Sequence, residues 1–328
     1  MELLIKYPNF NNLFIKKKKL YNYMYNIWCY WSQGINNLPL FHNKCVLNFR
    51  KKLSSKFKIN LIDKDIFLNM QSEISEEFLD RLTYQQQSDV IRLYLLYEYG
   101  GIWIDITSII LDDFNWVLEI FKKGYDQIGF YVNYKFTKNK SKELLENWFI
   151  AIKYPYNYKI FKWKEIFYKI LKENIKEGGI EYSKTWIETK KDNYILEMGQ
   201  KYLSMHVAHL WCLQNDLKYK ELYHNNIYLF NAYDTALSNI FDPFTLIYGI
   251  GYNFNFHFIK LTGTQFKLLN YFCSKRLKKI IKDELDLDYT ILKIPKLILF
   301  ILIIIFIIFK YVKLNKPKKN YNKLIKLR

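Results

Sequence analysis

The stretch SDVIRLYLLYEYGGIWID, residues 88–105, decides the reading of this chain. Its first part keeps a helical pattern, and Gly100-Gly101 supplies the left-handed conformation that closes a helix. Thr83, with Gln86 three residues on, offers a capping box at the start of the same helix. Ile102 to Ile106 is short, apolar and β-branched, the pattern of a strand. Side chains alternate across a strand, so Ile102, Ile104 and Ile106 share one face, and Trp103, Asp105 and Thr107 the other. On the helix, Gln85, Ser88, Asp89 and Arg92 recur at three- and four-residue spacing and form one polar stripe. An acid and a base on a helix thus lead into a carboxylate beside a tryptophan at a strand end, where open α/β sheets gather their ligands. The same residues fit a blander account. An Asp–Arg pair at i, i+3 is an ordinary helix ion pair worth ~0.2–0.5 kcal/mol, and an Asp at a strand end is a common turn residue.

Working outward, YNIWCYWSQG, residues 25–34, reads as a buried first strand ending in a glycine turn, with Trp31 closing it. Pro39 can open a helix through Leu53, with Leu40, Val46 and Leu47 as core positions. FKINLID, residues 57–63, alternates like a second strand. Strand, helix, strand, helix is the opening of a Rossmann-like half domain. Downstream, the pattern predicts a helix over Asn115–Lys123, a strand over Gln127–Asn133 and an amphipathic helix over Ser141–Lys153 capped by Ser141. Glu165–Glu177 reads as a lysine-rich surface helix. Tyr202–Leu213 reads as a helix carrying His206 and His209. Their i, i+3 spacing suits a metal pair, but no third ligand lies near in sequence, which favours a packed helix with two core histidines. The alternating acids of Asp283–Asp288 read as a solvated linker, and GIG at Gly249–Gly251 is too short for a dinucleotide motif.

At 328 residues, with 50% hydrophobic and 19% aromatic side chains, the chain can bury a large core in one big domain or two modest ones. A net charge of +19 invites a nucleic-acid reading. No helix-turn-helix, zinc finger or RNA-binding signature accompanies it, so no specific nucleic acid is expected, only nonspecific attraction to phosphate or anionic lipid. Cys29, Cys45, Cys212 and Cys273 are far apart, which argues against a zinc site or a disulfide framework. Met1–Leu20 lacks a continuous apolar run, being broken by Lys16–Lys19, so no secretory signal is expected there. Residues 294–312 are a different matter. LILFILIIIFIIF at their centre is uncharged, and with Lys296 and Lys310 snorkelling the helix would just span a bilayer core of ~30 Å. A membrane helix, single-pass or monotopic, is therefore expected, followed by a basic tail over 313–328. That tail would prefer the cytoplasmic side, and a tail anchor the other, so orientation stays open.

SDVIRLYLLYEYGGIWID also resembles the signature of the capsular-polysaccharide-synthesis glycosyltransferases, relatives of the family 32 sugar transferases, in which S-D-x-x-R…Y-G-G-x-[YW]-x-D precedes a metal-binding D-x-D. The likeness runs from about Tyr25 to Phe266, through YWSQG, LLENWFIA and, more weakly, IKLTG. The second Asp of D-x-D is Thr107 here, as is common in the capsular branch. The resemblance implies a GT-A-like, Rossmann-type mixed sheet flanked by helices over residues 25–290, after a basic lead-in over 1–24 and before the candidate membrane helix. It also implies a nucleotide-sugar donor, UDP- or GDP-linked, a glycan, glycolipid or protein acceptor, and retention of configuration.

By the same resemblance Asp105 would bind Mn²⁺ or Mg²⁺, with Thr107 beside it directly or through water, because a divalent cation offsets the charge on a departing diphosphate. Asp89 and Arg92 would hold donor-sugar hydroxyls, Trp103 would line the donor pocket, and Trp31 would stack on the nucleobase or else serve the core. Asn147, with Glu146 and Trp148, falls in a segment that shapes the substrate site in the family. His257, Lys260 or Thr262 would touch the metal or diphosphate. The competing reading, motivated by Thr107 in place of Asp, is a noncatalytic membrane-bound sugar-nucleotide or glycan-binding protein.

Overall fold

Strand β1, Tyr25–Tyr30, is buried along its second half, and helix α1, Leu40–Lys52, returns the chain to strand β2, Phe57–Ile62. These come from a computed structural model that describes residues 24–132, 144–177, 203–232, 234–236, 256–261 and 275–287. β2 lies parallel to β1, with Tyr25 opposite Phe57. Helix α2, Lys64–Met70, starts where the Asp63 carboxylate accepts from the Ile66 N–H, and helix α3, Glu76–Asp80, starts at Ser75 in the same way. Helix α4, Tyr84–Tyr99, carries both halves of the expected capping box, Thr83 and Gln86. Strand β3, Gly101–Ile104, then pairs with the free edge of β1, Ile27 opposite Ile102 and Trp28 opposite Trp103, again parallel.

The double glycine makes this possible. Gly101 has φ 92°, and a Cβ on it would lie 2.4 Å from the Asn26 carbonyl oxygen, so β1 and β3 approach only over a bare α-carbon. With β2 and β3 on opposite sides of β1, the strand order turns back at β1 and β3. A crevice therefore opens at their carboxyl ends, where Trp31 and Asp105 sit.

Beyond β3 come strand β4, Ser108–Ile110, helix α5, Asn115–Lys122, strand β5, Gln127–Val132, and strands β6, Leu144–Leu145, and β7, Phe149–Ile152. Helices α6, Tyr158–Glu177, α7, Ser204–Asn215, and α8, Leu217–Asn226, precede strands β8, Ile227–Asn231, and β9, Phe258–Lys260, and helix α9, Lys275–Leu285. Among the described residues seven strands form one mixed sheet in the order β2-β1-β3-β7-β5-β6, with β8 also on β5, while β4 and β9 form a second pair. The fold is mixed α/β, a parallel and antiparallel sheet flanked by helices.

Several expectations need correction. Ser141–Lys153 is not a helix: Leu144–Leu145 and Phe149–Ile152 are strands, and β7 pairs antiparallel with β3, Trp103 opposite Ile150. Of the three α1 positions expected in the core, Val46 holds and Leu40 and Leu47 do not. Phe41, Cys45, Val46 and Phe49 are buried, whereas Leu40 and Leu47 are exposed. Strand β3 ends at Ile104, and Trp103 is as buried as its neighbours, with the Arg92 guanidinium of α4 over its ring. Helix α6 begins at Tyr158 and buries Ile160, Trp163, Phe167 and Ile170, so it is a packed element whose lysines mask an apolar stripe. Asp283 and Glu284 belong to α9, and Glu284 pairs with Lys52 at 2.8 Å.

The membrane placement is also corrected. Among the described residues no helix is long and apolar enough to cross a bilayer. Residues 294–312, on which that expectation rested, lie outside the described residues, as do the tail over 313–328, Gly249–Gly251 and Thr262. Cys29, Cys45 and Cys212 are free and buried, in line with core use.

Candidate active site

At the β1/β3 crevice lies an open pocket of about 230 Å³. Trp31 follows β1, Asp89 and Arg92 face it from α4, and Trp103, Asp105 and Thr107 reach it from β3 and the turn beyond. Asn147 enters from the turn between β6 and β7. Trp31, Asp89, Arg92, Trp103, Asp105, Thr107 and Asn147 therefore border one cavity, while Glu146, Trp148, His257 and Lys260, also raised from the sequence, do not line it.

Arg92, almost fully buried, is the centre of the arrangement. Its Nη1 donates to Asp89 Oδ1 and its Nη2 to Asp105 Oδ1 at 3.2 Å. Its guanidinium carbon lies 4.7 Å from the centroid of the Trp103 ring, a cation–π geometry. The Trp103 indole N–H donates to Asp105 Oδ1 at 3.0 Å, and the Asp105 backbone N–H donates to the Trp148 carbonyl at 2.9 Å. Asn147 Nδ2 donates to Asp89 Oδ1 at 3.0 Å. Both of these bonds go to Asp89 Oδ1, Asp89 Oδ2 takes no hydrogen bond among the described residues, and Asp89 lines the pocket.

The floor is backed by two helices. Met205 of α7 touches both Arg92 and Asn147 with its sulfur, and its carbonyl accepts from the Trp163 indole of α6 at 2.7 Å. Nothing in the sequence pattern marked Met205.

Burial pushes the Asp89 carboxyl up to about 6, against the pull of the Arg92 charge. Asp105 goes the other way. Burial alone would raise it, but the Lys260 and Arg92 charges and the bonds from Lys260 and Trp103 hold it below the usual carboxylate range. Two carboxylates in one site thus differ in proton affinity because their cationic neighbours differ. Glu146 is half-buried next to this cluster but does not line the pocket, and burial raises it to about 7.

Lys260 lies at the end of β9, and its ammonium donates to Asp105 Oδ2 at 2.9 Å and to Thr107 Oγ1. These are the two oxygens expected to bind a divalent metal. Both Asp105 oxygens are already taken by cations, and no group of three His, Cys, Asp or Glu among the described residues could hold a metal ion. At a diphosphate a hard divalent cation is held by one or two carboxylates, with water and phosphate oxygens filling the rest of its shell, and here the one carboxylate of the pair already has a cation on each oxygen. The residues as arranged do not fit one.

The other sequence candidates lie elsewhere. His257 stacks on Trp116 at 5.0 Å and reaches Asp112 at 3.3 Å, away from the pocket. His206 and His209 are buried in α7, where burial lowers both to about 3, and His209 shares a 2.7 Å hydrogen bond with the Tyr219 hydroxyl. They are core histidines. Trp148 is a core residue packed on Phe130 at 4.6 Å. Trp31 is half-buried, 4.7 Å from the His42 ring, and borders the pocket. Tyr84 also borders the pocket and carried no sequence signal, and Ser32, from the YWSQG stretch, borders it too.

Residues 3–237 match the family described as capsular polysaccharide synthesis protein, well over half of the chain. The chain belongs to that family. Among individual relatives, the O-glycosyltransferase braB of Annulohypoxylon truncatum is 30% identical over 44% of this chain and 37% of its own length. The glycosyltransferase afumC of Aspergillus fumigatus is 29% identical over 43% of this chain and 39% of its own. This family member therefore matches well under half the length of either relative. Among solved structures, the PaToxG glycosyltransferase aligns with 61% of this chain and 74% of its own, at 18% identity and a TM-score of 0.34, a likeness too slight to argue from.

Proposed function

We propose that this protein transfers a sugar from a nucleoside-diphosphate donor to an acceptor hydroxyl on a glycan or similar molecule, with residues 25–290 forming a GT-A-type catalytic unit. The observation that carries the reading is the convergence of an aromatic face, Trp31, and two differently tuned carboxylates, Asp89 and Asp105, on one pocket at the β1/β3 crevice. Family membership and relatives named as glycosyltransferases support it.

In this reading Trp31 offers its face to the nucleobase, and the ~230 Å³ pocket, below the ~300 Å³ where drug-sized ligand sites begin, takes the sugar and diphosphate end. Asp89 accepts a donor-sugar hydroxyl through Oδ2 while Asn147 and Arg92 hold its other oxygen. Arg92 neutralises both acids, and Asp105 orients the cations around it. If configuration is retained, the departing phosphate takes the acceptor proton and no separate base is required. The donor is UDP- or GDP-linked.

The test is a panel of UDP- and GDP-sugars offered to the full chain, with nucleoside-diphosphate release followed over time. Release from at least one donor is expected. Binding without release would favour the noncatalytic reading, and neither binding nor release would refute the proposal.

A further inference from the structure

We infer that the Lys260 ammonium occupies the place of a divalent cation at the donor diphosphate, so that sugar transfer proceeds without added metal; this rests on the sugar-transfer reading above. Lys260 is not a loose surface side chain. β9 is locked to β4 with Ser108 opposite Lys260, Phe258 and Ile259 are buried beside it, and its backbone N–H donates to the Ala236 carbonyl at 2.8 Å. The neighbouring Leu261 N–H donates to the Thr107 carbonyl at 3.1 Å, which ties β9 to the turn carrying Thr107. The Lys260 side chain is 8% exposed, and its nitrogen is held between Asp105 Oδ2 and Thr107 Oγ1.

The charges match this placement. A divalent ion is balanced by two carboxylates, and a monovalent ammonium by one. Position 107 carries a neutral hydroxyl, and the charge at the site is one unit short on each side: Thr107 for an acid, Lys260 for a metal. An ammonium has three N–H bonds, two of which go to Asp105 and Thr107. The third has no partner among the described residues. Lys260 does not itself border the pocket but stands directly behind Asp105 and Thr107, which do, and in the proposed arrangement this N–H goes to a non-bridging phosphate oxygen. During transfer the bond from the anomeric carbon to the phosphate oxygen breaks with its electron pair on the diphosphate. The acceptor oxygen bonds the anomeric carbon, and the acceptor proton passes to the diphosphate. Lys260 stabilises the added charge, aided by Arg92, as fixed cations do at departing phosphates.

The experiment uses the full chain and compares wild type with Lys260→Met and Lys260→Arg, following nucleoside-diphosphate release in excess chelator and in Mn²⁺ or Mg²⁺. The wild-type rate in chelator is expected to stay within about twofold of the rate with metal. Lys260→Met is expected to lose on the order of 100-fold with no rescue by metal, and Lys260→Arg to keep part of the rate. Should Lys260→Met fail to fold, the chelator arm on wild type still decides. Wild-type activity that vanishes in chelator and returns with Mn²⁺ would overturn this inference alone. Absence of donor binding and turnover under every condition would overturn it together with the sugar-transfer reading.

Discussion

Replacing Arg92 with Met removes the cation that Asp89 depends on. Arg92 is 3% exposed and bridges Asp89 to Asp105 over the Trp103 ring. Asp105 would still have Lys260 and the Trp103 indole, but Asp89 would keep only Asn147. Removing one partner of a buried pair leaves an uncompensated charge and costs ~3–5 kcal/mol. Adding Asp89→Asn to Arg92→Met removes that charge, so the double variant should recover ~1–3 kcal/mol of the loss. The variant's pH response has a definite sign. Wild-type Asp89 already sits at about 6, and without Arg92 it rises further. A folded-state value above the unfolded one means the folded state binds the proton first, so the stability gap between Arg92→Met and wild type should narrow as pH falls from 7 to 5. Urea unfolding at several pH values, read by linear extrapolation, measures all three quantities. A cost under ~1 kcal/mol at neutral pH, or strict additivity of the two substitutions, would refute the claim that Arg92 holds the site together electrostatically.

Three further outcomes follow from other parts of the structure. Gly101→Ala should cost at least ~3 kcal/mol, since its Cβ would sit 2.4 Å from the Asn26 carbonyl at φ 92°; a urea midpoint close to wild type would show that β1 and β3 are not pinned by that contact. Trp31→Ala should weaken binding of the nucleoside diphosphate about 10- to 100-fold by calorimetry, the worth of one base stack, and unchanged affinity would remove Trp31 from the donor site. His209 is neutral in the fold at about 3, below its unfolded value, so acid drives protons onto the unfolded chain and stability falls from about pH 6.5 downward. His209→Gln should therefore lose less stability than wild type between pH 6.5 and 4, and parallel pH curves would contradict this.

What the sequence made legible was local. The Thr83–Gln86 capping box, the α4 stripe and the Gly100-Gly101 break all lie within two dozen residues, and each acts through its own backbone. The β1–α1–β2 opening was equally readable because the apolar runs are short and the turns between them carry their usual residues. LLENWFIA misled because its apolar residues satisfy a helical period over one short window, while what fixes Phe149–Ile152 is pairing to β3, some fifty residues away in the chain and invisible in the segment itself. Leu40 and Leu47 are exposed because the phase of α1 is set by the sheet it packs on, not by the most apolar residues it offers. The lysines of α6 drew the eye from Ile160, Trp163, Phe167 and Ile170, whose three- and four-residue spacing was there to be read. At the site, Asp89, Arg92, Trp103 and Asp105 came together as their positions along α4 and β3 required, whereas the end of β1 and the β6–β7 turn brought in Trp31 and Asn147. The approach of Lys260 to Asp105 did not follow from spacing, because it depends on β4–β9 register across a separation of 155 residues.

The most direct test of the account is the rate of nucleoside-diphosphate release by Asp105→Asn beside wild type, on a donor that wild type turns over, with folding of the variant checked by circular dichroism. Loss of the carboxylate charge should release Lys260 and Arg92 from their positions and lower the rate on the order of 100- to 1,000-fold while the sheet stays folded. A folded Asp105→Asn protein that releases the diphosphate within about twofold of the wild-type rate would contradict it.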